Sequence, residues 1–234
     1  MSKLRVDVWS DIACPWCFVG NRRLEAALER FPERAQLEVV WRAFELDPEA
    51  PREQTRTVSY AERLAKKYRS PLAQAQARIA SMTETAKADG IDFDFERIRP
   101  GNTFDAHRLL HLAENRGVQD AVKERFLLGY LSQGEAIGDA ETLQRLATDA
   151  GLPADEVRAV LSGNAYANEV RADEQQAREL GIQGVPFFLF DERLAVSGAQ
   201  PAEVLLRALR QSLADRADQP APLAEGAVCG PEGC

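Results

Sequence analysis

Four cysteines fall into two pairs in this 234-residue chain, and the first pair is spaced for chemistry. Cys14-Pro15-Trp16-Cys17 sets two thiols three residues apart. In the first turn of a helix their Cα atoms would lie ~5–6 Å apart, inside the range a disulfide tolerates. The thiolate is the nucleophile, yet a free cysteine with a pKa of about 8.5 is only a few per cent ionised at neutral pH. A helix N-terminus favours the anion through its unpaired N–H groups and its dipole. The dipole alone contributes roughly 0.3–1 kcal/mol, less than one pKa unit, so direct donors to the sulfur are needed. Pro15 has no N–H, which leaves Trp16 and Cys17 to supply them. Cys14 is therefore read as the exposed attacking thiol and Cys17 as the inner, resolving one. Pro15 presets φ for the first helical position. Trp16 can act neither as acid nor as base, and shapes the rim where a substrate docks. A structural disulfide or half of a zinc site is the alternative, and a CxxC outside a secreted chain favours redox work.

Other residues could join this chemistry. Asp11 lies one turn before Cys14, where a carboxylate raises a thiol's pKa or relays a proton to Cys17; it could equally end a strand. Gly184-Val185-Pro186-Phe187-Phe188-Leu189-Phe190 sets a proline before an apolar run, which places it at a strand start or edge. His107 and His111 stand at i and i+4, a spacing that can ligate metal. No glutamate lies between them, so packing or a polar cap on a cleft is favoured and no metal is expected. Asn102 and Thr103 read first as the N-cap of the helix that follows. The second pair closes the chain as Cys229-Gly230-Pro231-Glu232-Gly233-Cys234, where Gly and Pro allow the bend that lets two sulfurs meet. The segment before it, Asp218 to Gly226, reads as a flexible arm. A tethered dithiol would meet Cys14 at high effective concentration, shuttling electrons to that pair or covering it. Incidental thiols in a terminus, or zinc held by all four cysteines, are the competing readings.

The elements that must position these groups follow from periodicity. Leu4, Val6 and Val8 alternate with polar residues and predict a strand ending just before the CxxC. Phe18, Leu24, Ala27, Leu28 and Phe31 recur at helical spacing until Pro32. Leu37–Trp41 predicts a second strand. Apolar residues at three- and four-residue steps predict helices over Ser59–Tyr68, Leu72–Ala88, Phe104–Asn115, Ala121–Ser132, Glu141–Ala150, Ala154–Leu161 and Ala165–Leu180. Pro71 and Pro153 mark helix starts, and Gly90, Gly117, Gly138, Gly151 and Gly181 mark ends or turns. Strands after Pro186 and through Leu194–Val196, then a helix from near Pro201, complete the chain.

Together these motifs resemble the DsbA-like oxidoreductases, and within them the FrnE-like branch. The resemblance rests on Ser10–Cys17 running on to Gly20–Leu24, Asn102–Leu109, Gly184–Phe188, Val196–Pro201 and the terminal Cys-x4-Cys. It implies an α/β thioredoxin fold with a large inserted all-helical domain and a C-terminal extended arm. Residues 1–45 and 182–217 would form the core, 46–181 the helical lid, and 218–234 the arm. It also implies a cis bond before Pro186 facing the CxxC, with the Val185 backbone open to an extended substrate. Asn102, Thr103 and His107 would then line the substrate cleft. The related 2-hydroxychromene-2-carboxylate isomerases and kappa-class glutathione transferases typically carry serine at the first CxxC position, whereas both cysteines stand here.

Composition bounds the function. With 45% hydrophobic and 28% charged residues the chain can build one sizeable core or two lobes. A net charge of −8 argues against nucleic-acid binding, and no apolar run approaches the ~18–20 residues of a membrane span. The sequence enters its first strand directly, with no signal-peptide pattern, so a cytoplasmic location is expected. There, cysteine pairs are more often catalytic, sensing or metal-binding than structural. The expected activity is thiol–disulfide exchange with protein or peptide partners, in a reductase or isomerase direction. No cofactor is required, and glutathione stays open as a co-substrate. A glutathione-dependent small-molecule isomerase is the alternative, and a redox or metal sensor the third reading. The sequence leaves monomer and dimer open.

Overall fold

The computed structural model describes residues 3–52 and 58–217. Strand β1 (Leu4–Ser10) runs into helix α1 (Pro15–Glu29), and β2 (Leu37–Ala43) returns parallel to β1 with Leu4 opposite Leu37 and Val8 opposite Trp41. After a long helical stretch come β3 (Phe187–Phe190) and β4 (Leu194–Ser197), both antiparallel to their neighbours, then α9 (Ala202–Ala217). The sheet order is β2-β1-β3-β4. Alternation along β1 sorts its two faces. Leu4, Val6 and Val8 join Phe188, Phe190, Leu24, Leu28, Leu205 and Leu209 in one core under α1 and α9. Trp9 and Leu189 point the other way, against Ala177 and Ile182. The mixed α/β architecture is the thioredoxin fold with a helical insertion.

The insertion carries α2 (Tyr60–Lys67), α3 (Leu72–Ala88), α4 (Phe104–Asn115), α5 (Gln119–Leu131), α6 (Ala140–Asp149), α7 (Ala154–Ser162) and α8 (Ala167–Glu179). Each end falls within two residues of the periodicity reading. Pro71 and Pro153 stand at the N-caps of α3 and α7, and Ser59 with Glu62 closes a capping box on α2. The insertion has its own apolar core, built on Leu109, Phe126, Leu127, Leu143 and Leu146, which reaches Ile12, Phe18 and Val19 beside the CxxC. Helix α8 departs from the plain lid expected of this stretch. Its Ala177 seals the second face of the sheet while its Val170 is buried too, so it belongs to both halves. Among the described residues no helix is long and apolar enough to cross a membrane.

The joint between the halves lies at the sheet edge. Strand β2 has a free outer side, and an open edge invites unwanted pairing. Gln119, at the start of α5, closes it: its amide accepts from the Trp41 N–H at 3.0 Å and donates to the Trp41 carbonyl at 3.1 Å. One residue on, Asp120 accepts from the Trp41 indole at 2.6 Å. On the far side of α4, Asp173 of α8 accepts from Arg42 at 3.1 Å and from the Ala43 N–H at 2.9 Å, and pairs with His111 at 3.0 Å.

Candidate active site

Cys14 stands at the N-cap of α1 with Pro15 in the first turn, and Cys17 is one turn in; both are free thiols. The Val185–Pro186 peptide bond is cis, and the Cys14 thiol donates to the Val185 carbonyl at 3.6 Å. Helix α1 reaches this loop because residue 20 is glycine: a Cβ there would sit 2.8 Å from Pro186 Cγ. Trp16 is 42% exposed at the rim. It borders a cavity of about 830 Å³, together with Asp11, Cys14, Pro15 and Thr103. The opposite wall comes from α2 and α3.

The sequence reading made Cys14 the exposed, ionised sulfur, and the structure corrects the exposure. Cys14 is only 5% exposed, reachable along the cavity wall. Proton sharing with the Cys17 sulfur, then burial, then the Cys17 charge push its thiol well above the ordinary range; the Cys17 N–H pulls the other way and loses. That N–H is also engaged by the Cys14 carbonyl at 3.0 Å, a demand invisible in the sequence. Burial pushes Cys17 up as well. The Cys14 side chain, the Lys123 charge and the Ser10 hydroxyl outweigh it and bring Cys17 below its usual value. The two sulfurs titrate as a pair.

Asp11 is fully buried behind the cysteines. Burial opposes its ionisation, but His107, the Leu46 N–H and Thr103 overcome it and hold the carboxyl below its normal range. The Leu46 N–H donates at 2.8 Å, and His107 Nε2 lies 3.4 Å from the other oxygen. Burial takes the His107 imidazole below its ordinary pKa despite Asp11, so it is neutral at pH 7. Of the three expected cleft residues, Thr103 alone lines the cavity. His107 is 1% exposed and touches the site through Asp11. Asn102 accepts from the Phe104 N–H at 2.8 Å and donates to Glu45 at 3.2 Å, which anchors the start of α4. Helical spacing gave the histidines a shared face, but His111 turns to Asp173 and Glu114. Among the described residues no cluster of three or more potential ligands is placed to hold a metal. Cys229 and Cys234 lie outside the described residues.

Several site residues escaped the sequence reading. Arg63, Lys67 and Arg78 line the cavity with Tyr60, Tyr68 and Tyr130. None of the three cations has a carboxylate partner among the described residues; Arg63 and Arg78 lie over tyrosine rings instead, at 5.5 and 5.4 Å. Burial keeps the Tyr130 hydroxyl protonated, raising it to about 12. Lys123 is buried behind the redox pair. Only the polar residue at an apolar-periodic position of α5 could have signalled it.

The sequence profile of the DSBA-like thioredoxin domain family matches residues 5–210. A probable DsbA oxidoreductase from Streptomyces coelicolor is 46% identical, with TM-score 0.88 over 99% of this chain and 98% of that one. A 2-hydroxychromene-2-carboxylate isomerase shares the fold at 19% identity and TM-score 0.65, over 92% and 98% of the two chains. So does the cytosolic disulfide reductase DsbM from Pseudomonas aeruginosa, solved with GSH, at 18% identity and TM-score 0.61, over 90% and 100%.

Proposed function

We propose that this chain, which belongs to the DSBA-like thioredoxin domain family, is a thiol–disulfide oxidoreductase that reduces or isomerises disulfides in the cytoplasm. One observation carries the reading: a free dithiol at the start of α1 meets the cis Val185–Pro186 loop, at the wall of an open cavity. Cys14 releases its proton to water and attacks a substrate disulfide, forming a mixed disulfide and expelling one thiolate, which takes up a proton. Cys17 then attacks the Cys14 sulfur, releasing the second thiol. Two electrons pass from the enzyme to the substrate, and both protons leave with the released thiols. A dithiol reductant restores the pair. The Val185 carbonyl holds the Cys14 thiol until substrate displaces it, and Pro186 keeps a side chain off the sulfurs. The arm carrying Cys229 and Cys234 is, on sequence grounds alone, a tethered second dithiol that exchanges with Cys14.

Dithiothreitol-driven reduction of insulin tests this with wild type, Cys14→Ser and a truncation after Pro220. Activity that vanishes in Cys14→Ser supports exchange at the CxxC, and the truncation reads the arm. Mass spectrometry of the oxidised protein with neither a Cys229–Cys234 nor a Cys14–arm linkage would refute the arm's role. A second reading draws on Arg63, Lys67 and Arg78, without carboxylate partners among the described residues, which suit the carboxylates of a small thiol such as glutathione. No insulin reduction, but glutathione-dependent turnover of an aromatic substrate that survives Cys17→Ser, would move the function to that isomerase chemistry.

A further inference from the structure

Lys123 is 0% exposed, and among the described residues its Nζ has no hydrogen-bond partner. A buried ammonium without a partner is costly, by several kcal/mol, so a fold keeps one only where something repays it. Its surroundings supply one weak compensation: Nζ lies 5.4 Å from the centroid of the Trp41 ring. That position is held rigidly. Gln119, one turn earlier on α5, clamps both backbone groups of Trp41, and Asp120 takes the indole N–H. Its α5 neighbours Val122 and Phe126 pack in one core with Ile12, Phe18 and Val19 beside the CxxC, and the charges that act on the ammonium are those of Cys17, Asp11 and Cys14. From α4, His107 feels its charge. On its own helix, Asp120 is bound to Trp41 and Glu124 to Arg22 and Asn21. Asp11 is satisfied by Leu46, Ala13 and His107. The one group facing the ammonium whose charge changes during exchange is the cysteine pair.

We propose that Lys123 is the counter-charge of Cys17: a positioning residue, carried in by the helical insertion, that stabilises the resolving sulfur as its thiolate. The inference takes its functional meaning from the exchange reading above. In the mixed disulfide Cys17 must ionise before it can attack Cys14, and the ammonium lowers that cost. Lys123 transfers no proton in this step; the Cys17 proton leaves with the released thiol. When the Cys14–Cys17 disulfide forms, the thiolate disappears and the ammonium keeps only Asp11 as an anion nearby. Lys123 therefore becomes more acidic on oxidation. Its burial already lowers it to about 8, against the pull of Cys17, Asp11 and Cys14, so the change falls in an accessible range. The same charge stabilises the reduced enzyme over the disulfide.

The test needs no turnover. In a Cys14→Ser, Cys229→Ser, Cys234→Ser background Cys17 is the sole thiol, and its ultraviolet thiolate absorbance is titrated with Lys123 intact or as Lys123→Met. The expected result is about a tenfold loss of acidity, one pH unit in midpoint. In the four-cysteine protein, Lys123→Met should move the equilibrium with dithiothreitol about tenfold toward the disulfide, close to 30 mV. An unchanged Cys17 midpoint in a variant that melts as the parent does would overturn the proposal. Should Lys123→Met not fold, lysine 13Cε resonances of the unsubstituted protein decide. A buried lysine that titrates lower in the oxidised than in the reduced form supports the pairing, and identical titration in both refutes it. Insulin reduction separates the two claims, since exchange can fail while this coupling holds, and the reverse.

Discussion

His111 offers the sharpest test of how the two halves are joined. Burial alone would lower its pKa, but Asp173 at 3.0 Å and Glu114 at 3.6 Å raise it to about 9 from the ordinary 6.5. A histidine raised on folding stabilises the folded state fully below its unfolded pKa, and that stabilisation is lost as pH climbs through the folded value. The difference of about 2.5 in pKa, at about 1.36 kcal/mol each, gives about 3 kcal/mol at pH 6 and under about 1 kcal/mol at pH 9. Other groups titrate nearby. Burial raises Asp7 to about 6 and Glu45 to about 7, and lowers Lys123 to about 8. Their contributions cancel when wild type is compared with His111→Gln at each pH. Urea denaturation at pH 6, 7, 8 and 9 should therefore show the gap between the two proteins closing by about 2–3 kcal/mol, with m unchanged. A gap that stays constant with pH would mean His111 is neutral in the fold, and the ion-pair account of this joint would fail.

Three further outcomes follow from contacts at and around the site. Gly20→Ala forces a Cβ against Pro186 Cγ at 2.8 Å, which should cost about 1–3 kcal/mol and slow insulin reduction by displacing the Pro186 loop; unchanged melting and unchanged activity would count against that contact. Arg108 is buried with Asp105 at 2.8 Å and donates to the carbonyls of Ala165, Gly163 and Val160. Arg108→Leu leaves Asp105 only Arg52 at 3.1 Å and Val160 only the Gly163 N–H at 3.3 Å, and removes the guanidinium from the Ala165 and Gly163 carbonyls; it should cost about 3–5 kcal/mol by urea denaturation, a loss below about 1 kcal/mol being incompatible with that network. Arg63→Gln with Arg78→Gln should slow exchange with a carboxylate-bearing disulfide about tenfold and flatten its salt dependence, while a neutral disulfide reacts as before; equal slowing of both would rule out charge recognition by the cleft.

Local rules carried much of this architecture, and their limits are instructive. Cys14-Pro15-Trp16-Cys17 announced itself because Pro15 at the first helical position and the strand before it are short-range signals. The insertion helices were equally readable, since Phe104–Asn115 and Leu72–Ala88 keep a helical apolar period through every turn. The ionisation of the pair was not readable. It depends on burial and on Lys123, 106 residues beyond Cys17, while the acceptor of the Cys14 thiol, the Val185 carbonyl, lies 171 residues away. His107 and His111 show the same limit from the other side. Their shared face was correct, yet Asp11 and Asp173, on different elements, draw them into separate roles. The cations of the cleft were hidden among the many solvated charges of α2 and α3, because nothing local distinguishes Arg63 from Lys66.

The placement of α5 shows why scaffold and chemistry cannot be separated here. Strand β2 is an edge strand, and Gln119 covers it by taking both backbone groups of Trp41. The same docking presents Lys123, one helical turn later, to the face of Trp41 and to the cysteines. An insertion that only shaded the cleft would have no reason to bury an ammonium that has no hydrogen-bond partner among the described residues. One that only closed the sheet edge could do so with an apolar residue at 123 and gain stability. The lysine is thus the residue at which the two demands diverge: Lys123→Met should leave the clamp at Trp41 intact, and favour folding, while costing Cys17 its acidity. If stability fell instead while the Cys17 midpoint stayed where it was, the ammonium would be serving the fold alone.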